Sequence, residues 1–191
     1  QVLSPMYRGV TGALNLNQRL QQRLNAEGRP HRHRGNELRV GDKVMQVKNN
    51  YDKGVFNGDM GIVERLDAEK QVLWVHFDHA IEYDQADLDE LMLAYAISTH
   101  RAQGSEFPVI VLPLTTQHYM MLQRNLLYTA ITRAKKMVVI VGTDKALKLA
   151  IENDEVTRRF TTLEERLRGE VGPLLEVCAE EQTGDGGRFS Y

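Results

Sequence analysis

Two clusters of side chains in this sequence could do chemistry on a phosphate-bearing ligand. The first is Ser98-Thr99-His100-Arg101-Ala102-Gln103-Gly104-Ser105-Glu106, directly after a short apolar segment that ends at Ile97. Two hydroxyls and an imidazole at the end of a buried strand are small groups that suit contacts to phosphates. Ser98, Thr99 and His100 are therefore candidate ligands. Gly104 permits either a close backbone approach or a positive φ, and Glu106 is placed to accept hydrogen bonds from a sugar hydroxyl. The second cluster is Tyr128-Thr129-Ala130-Ile131-Thr132-Arg133-Ala134. A guanidinium keeps its charge and presents a rigid fork of donors, so Arg133 suits recognition of a terminal phosphate. Lys135 and Lys136 read as solvated or long-range steering charges.

The elements that must hold these groups follow an α/β rhythm. Val2-Leu3 reads as a short buried strand ending at Ser4-Pro5. Across residues 11–25, Leu14, Leu16, Leu20 and Leu24 fall near helical spacing. From Leu93 onward the reading is strands at 94–97 and 109–112, mostly helix over 119–134, and a strand at 137–141. The last run is continuously apolar, which predicts burial on both faces, as in a parallel sheet covered by helices. Asp144 is expected to cap a following helix, another is expected over 155–167, and a flexible tail over 169–191. Met120, Met121, Leu126 and Leu127 are expected in the core.

Between the two halves the pattern changes. Residues 26–36, rich in Gly, Pro, Arg and His, read as a linker; His31 and His33 have no Cys or carboxylate neighbours in sequence and are expected to be solvated, with no metal site. Short strands then follow at 43–47, 60–66, 72–77 and 81–83, separated by turn residues at 40–42, 56–59 and 67–70. Four or five such strands suggest a small antiparallel barrel of SH3-like size, too small to be stable alone. Trp74, in an alternating strand, is expected inside this barrel rather than on its surface as a base-stacking platform. The expected organisation is thus residues 1–36 and 93–168 as one α/β domain, with residues 37–92 inserted.

Composition fits a globular protein: of 191 residues, 42% are hydrophobic and 26% charged. The single cysteine excludes an internal disulfide framework. No apolar run is long enough to span a bilayer, and no leader opens the chain, which argues against secretion. A start directly before a strand suggests an excerpt of a longer protein. Charge is partitioned. Residues 1–36 carry six basic side chains against one acidic, and residues 93–150 seven against two. Residues 37–92 carry six against thirteen, and residues 151–191 five against ten. Two basic segments flanking an acidic middle suit a nucleic-acid face on the α/β part.

The two chemical clusters, in this order and each followed by a short apolar run, resemble motifs V and VI of superfamily 1 helicases. Ser98, His100, Gln103, Gly104 and Glu106 match motif V, and 128–134 matches motif VI. Leu3-Ser4-Pro5-Met6-Tyr7-Arg8-Gly9, with Gly12 and Leu14-Asn15, resembles motif IV of the RecD-like branch. Asn49-Asn50-Tyr51 and Val55-Phe56-Asn57-Gly58-Asp59 resemble the segment that opens the β insert there. The layout is similar to that of RecD-type superfamily 1B helicases; a conjugative relaxase-helicase shares the motor. The resemblance implies a second RecA-like domain carrying an SH3-like insert, in a motor that moves 5′ to 3′ on single-stranded DNA with ATP and magnesium.

It further implies that Arg133 is an arginine finger, that Gly104, Glu106 and Arg8 approach nucleotide, and that Ser98, Thr99 and His100 contact single-stranded DNA. Asn57-Gly58 is first of all a tight-turn pair, with Asn57 a candidate DNA contact. The partners implied are single-stranded DNA, its junctions with duplex, the first RecA-like domain of the same protein and possible repair or recombination proteins docking on the insert, in a bacterial cytoplasm. The sequence departs from a complete motor. It has no Gly-x-x-x-x-Gly-Lys-[Ser/Thr] string and no apolar strand ending in paired acids. Magnesium ligands are therefore expected on the first domain, and ATP hydrolysis is not expected from this chain unaided. A binding module with a protein-docking insert is the rival class.

Overall fold

The computed structural model describes residues 1–154. The helix expected over 155–167 and the tail over 169–191 lie outside the described residues. A parallel four-stranded sheet has the order β11-β10-β1-β9. Its strands are β1 (Val2–Ser4), β9 (Ala96–Ser98), β10 (Phe107–Leu114) and β11 (Ala134–Gly142). Leu3, Ile97, Ile110, Leu112 and Leu114 are fully buried and make its core. Three helices accompany it: α1 (Ala13–Leu24), α2 (Arg124–Ile131) and α3 (Asp144–Glu152). The N-cap of α3 is Thr143, not Asp144; its hydroxyl accepts from the Ala146 N–H at 3.2 Å.

The intervening segment forms an antiparallel five-stranded sheet, order β7-β6-β5-β4-β8. It contains β4 (Lys43–Gln46), β5 (Met60–Asp67), β6 (Val72–His76), β7 (Ala80–Tyr83) and β8 (Leu91–Leu93). Where a linker was expected, β2 (Pro30–His33) and β3 (Asn36–Arg39) pair as a hairpin. The hairpin straddles the expected boundary at residue 36, and its Leu38 joins the buried cluster of Val44, Val63, Leu73, Val75 and Tyr83. Its turn is made by Arg34 and Gly35, both at positive φ, so the Gly/Arg/His composition marked a hairpin turn rather than a flexible connection.

Three expectations about faces are reversed. The buried face of α1 is Ala13, Asn17 and Gln21, while Leu14 is 45% and Leu24 67% exposed. Polar side chains win that face because they are spent on backbone that would otherwise be orphaned. Asn17 Nδ2 donates to the Leu93 and Ala96 carbonyls, and its Oδ1 accepts from the Ala96 N–H. Trp74 stands on the outer side of β6, with the Arg65 guanidinium 4.2 Å above its ring; Leu73 and Val75 take the inward positions. And among the described residues β11 is an edge strand, with Met137 57% and Val141 55% exposed. An apolar run looks the same in sequence whether a neighbour covers it or not.

One junction fixes the insert on the α/β part. Asp42 is fully buried. Its carboxylate accepts from Gln21 Nε2 (2.5 Å), Asn25 Nδ2 (2.6 Å), the Arg39 N–H (2.7 Å) and Tyr95 Oη (2.9 Å). These donors come from α1 and its C-cap, from β3 and from the short link between β8 and β9. Burial and the neighbouring Asp42 charge push the Tyr95 hydroxyl up to about 12.

Candidate functional site

Ser98 closes β9, opposite Ser4 of β1 in the parallel register. Immediately after it the chain turns, with the Ala102 N–H bonded to the Ser98 carbonyl and the Arg101 N–H to Ser98 Oγ. Thr99 is 2% exposed, and its hydroxyl donates to the Ser4 carbonyl at 3.3 Å. It therefore fixes the turn to β1. His100 is exposed and stands where two clefts meet.

One cleft, of about 180 Å³, lies between Thr99, His100 and Gln103 on one side and Gln123, Asn125 and Thr129 of the α2 region on the other. The second, of about 500 Å³, is lined by His100, Arg101, Gln103 and Ser105 together with Asn57, Gly58 and Asp59 of the insert. Folding thus brings Asn57 beside His100 across more than forty residues of sequence. Arg101 and Gln103 line this cleft and were not singled out as ligands by the sequence. Among the described residues Arg101 has no carboxylate partner; its guanidinium meets only the Met92 sulfur, at 3.1 Å. Gly104 has φ +85° with open space where a Cβ would stand. Its glycine serves the left-handed turn, not a close approach.

Arg133 lies between α2 and β11. Its carbonyl accepts from the Phe107 N–H at 2.8 Å, which ties the end of the second cluster to the end of the first. Arg133 Nη1 reaches the Ser105 carbonyl at 3.4 Å and Nη2 the Thr132 hydroxyl at 3.3 Å, both long contacts. Arg133 Nε is buried without a hydrogen-bond partner, and no carboxylate pairs with this side chain among the described residues. A half-satisfied guanidinium of this kind is suited to an incoming anion. Glu106, exposed, pairs with Lys135 Nζ at 3.0 Å, and Lys135 is itself an exposed charge, as expected.

Arg8 is exposed in the loop after β1. Gly12 closes that loop: its N–H bonds the Gly9 carbonyl, and a Cβ on it would come within 2.4 Å of the Arg8 backbone. Because Arg8 follows β1 while Arg133 precedes β11, the two guanidiniums start from opposite ends of parallel strands. Arg8 makes no hydrogen bond or ion pair with Glu106 or Arg133. Among the described residues no group of three His, Cys, Asp or Glu side chains is placed to hold a metal ion.

The family model for the ATP-dependent RecD-like DNA helicase SH3 domain matches residues 16–77, and that for the UvrD-like helicase C-terminal domain matches residues 93–141. The ATP-dependent RecD2 DNA helicase of Deinococcus radiodurans is 41% identical over 88% of this chain and 23% of its own length. Over most of its length the chain is a relative of the RecD-like DNA helicases. The RecBCD enzyme subunit RecD of Mycolicibacterium smegmatis is 31% identical over 84% of this chain and 28% of its own. The chain therefore spans about a quarter of the length of these relatives.

A crystal structure of the Pif1 helicase from Bacteroides in complex with ADP-AlF3 and ssDNA superposes over 96% of this chain and 46% of that one, with a TM-score of 0.57 and 18% identity. That likeness supports the fold of a RecA-like sheet with an SH3-like unit. The SH3 match begins inside α1, so the RecD-like SH3 unit includes the β2–β3 hairpin that composition alone presented as a linker.

Proposed function

We propose that this chain is the second motor domain of an ATP-dependent DNA helicase that moves 5′ to 3′. In this reading it supplies the arginine finger and part of the single-stranded DNA groove. The cleft in which Asn57 of the insert faces His100 and Arg101 carries the reading. It is lined by amide, imidazole and guanidinium groups, the donor set that phosphates recruit, beside the Asp59 carboxylate, which accepts from the Phe56 N–H; an SH3-like unit and a RecA-like unit both contribute to it. His100, Arg101 and Asn57 contact the strand, while Ser98 and Thr99 hold the turn that presents His100.

The residues present fit a nucleotide phosphate at Arg133. Its orphaned Nε and lack of a carboxylate leave it free to neutralise charge that develops as a terminal phosphoryl group departs. Glu106 and the Gly104 turn would border the same nucleotide, whereas Arg8, which follows the opposite end of the parallel strands, is not placed with them. ATP with magnesium would supply the driving reaction. The phosphate-cradling loop and the magnesium ligands belong to the first RecA-like domain of the parent protein, the principal partner of this chain. Closure of the two domains on ATP, alternating with release, gives stepping by gating.

Fluorescence anisotropy of single-stranded DNA over a salt series, with and without the separately expressed first domain, tests the groove. Salt-sensitive binding that tightens with the partner domain, with DNA-stimulated ATPase restored, is the expected outcome. Absence of both would leave a RecA-like scaffold with a protein-docking insert. In the full-length parent, Arg133→Ala should lower ATP turnover by about three orders of magnitude while sparing DNA binding; retained turnover would remove the finger role. Arg133→Lys should not rescue it, because a point charge lacks the bidentate fork.

A further inference from the structure

Residues 47–59, which connect β4 to β5, form a braced loop that leaves two aromatic rings in water. Asn50 and Val55 pair through two backbone hydrogen bonds, of 2.8 and 3.1 Å. Asn50 Oδ1 accepts from the Lys53 N–H, and Asn50 Nδ2 donates to Glu90. Asn49 Oδ1 accepts from the Asn57 N–H, and Asp59 Oδ2 from the Phe56 N–H. Val55 anchors the loop in the insert core at 2% exposure.

Against this order, Tyr51 is 77% and Phe56 48% exposed, with ring centroids 6.0 Å apart and planes at 78°. The next three residues, Asn57, Gly58 and Asp59, are the insert's wall of the cleft shared with His100 and Arg101.

We propose that Tyr51 and Phe56 form a base-stacking corner for single-stranded nucleic acid, seating an unpaired base of the strand whose phosphates lie along His100 and Arg101. The proposal rests on the groove reading above. It adds a different chemistry, since phosphate contacts need no base whereas stacking on a ring requires one to be present. Two rings at a right angle give one base a face to stack on and an edge to abut. The interaction tolerates any base, as a translocating motor requires, because every base has a π-face. The partner is committed by continuity: a strand lying in the His100–Asn57 cleft passes the residue adjacent to Phe56.

The test compares binding of the 191-residue chain to a fluorescein-labelled oligothymidylate and to an abasic strand of equal length. The unmodified chain should prefer the strand with bases by about tenfold. Tyr51→Ala with Phe56→Ala should abolish that preference while leaving abasic affinity and its salt slope unchanged. The exchange Tyr51→Phe with Phe56→Tyr should retain it, which separates loss of stacking from misfolding. Equal binding of both strands by the unmodified chain, or an unchanged preference in the double alanine variant, overturns the stacking corner and leaves the groove intact. Failure of either strand to bind overturns the groove reading and the proposal with it. An effect of the double variant confined to a protein partner would mean the rings dock protein, and also overturns it.

Discussion

His31 sits opposite Leu38 in the hairpin, is 6% exposed, and its Nε2 lacks a hydrogen-bond partner. Burial first, and the nearby His33 second, hold its pKa below the ordinary histidine value. Asp89 faces His33 at 3.4 Å and pairs with Arg34 on the adjoining turn, so the hairpin meets a charged neighbour there. The sign of the pH effect follows from which state takes up the proton. Above about pH 6.5 His31 is neutral folded or unfolded and contributes nothing. Below it the unfolded chain binds a proton that the folded chain resists, and stability falls. Urea midpoints at pH 7.5 and 5.5 should differ less for His31→Gln than for the unmodified chain. Equal differences would show that His31 does not titrate in this way. The sequence displayed this histidine but not its burial, because burial depends on the pairing of β2 with β3.

At the scale of elements, α1 shows how far hydrophobic spacing can mislead. Its leucines are periodic, yet the helix is docked by Asn17 and Gln21 onto the backbone of residues 93–96 and onto Asp42. Asn17→Ala would leave two carbonyls and one N–H without partners in a buried setting, at a cost of about 2–4 kcal/mol. Chemical denaturation measures that directly. A loss below half a kilocalorie would mean that water replaces the amide, and that the apolar contacts of α1 carry its docking. The strands were easier to read. β4, β5, β6 and β7 fall where alternation and turn residues put them, since a period of two and glycine turns are local properties. The positive φ of Gly58, +104°, is the turn that Asn57-Gly58 foretold.

For the molecule as a whole, the decisive strand is β4. Val44 belongs to the insert cluster and Met45, at 1% exposure, to the core of the RecA-like sheet. One strand therefore carries a residue of each core, and the Asp42 junction begins beside it. The two units should unfold together. Trp74, the single tryptophan, reports the insert, whereas far-ultraviolet circular dichroism reports the whole; their urea transitions should coincide. Met45→Ala should lower both by about 2–5 kcal/mol. Transitions that separate in the unmodified chain would show two independent folding units.

The sequence by itself determined the α/β rhythm, the antiparallel interruption and the identity of the chemical clusters. Each depends on neighbours within a few residues or on a motif read as a string. Tertiary structure alone decided that Asn57 faces His100, that Arg101 joins them, that Thr99 is spent on Ser4 and that Glu106 pairs with Lys135. It also decided which faces are buried: Asn17 inward and Leu14 outward on α1, Trp74 outward on β6, and β11 uncovered at the sheet edge among the described residues. The reason is common to all of them. A side chain's burial and its partners are fixed by what packs against it from distant parts of the chain, and a linear pattern of polarity carries only the average of that outcome.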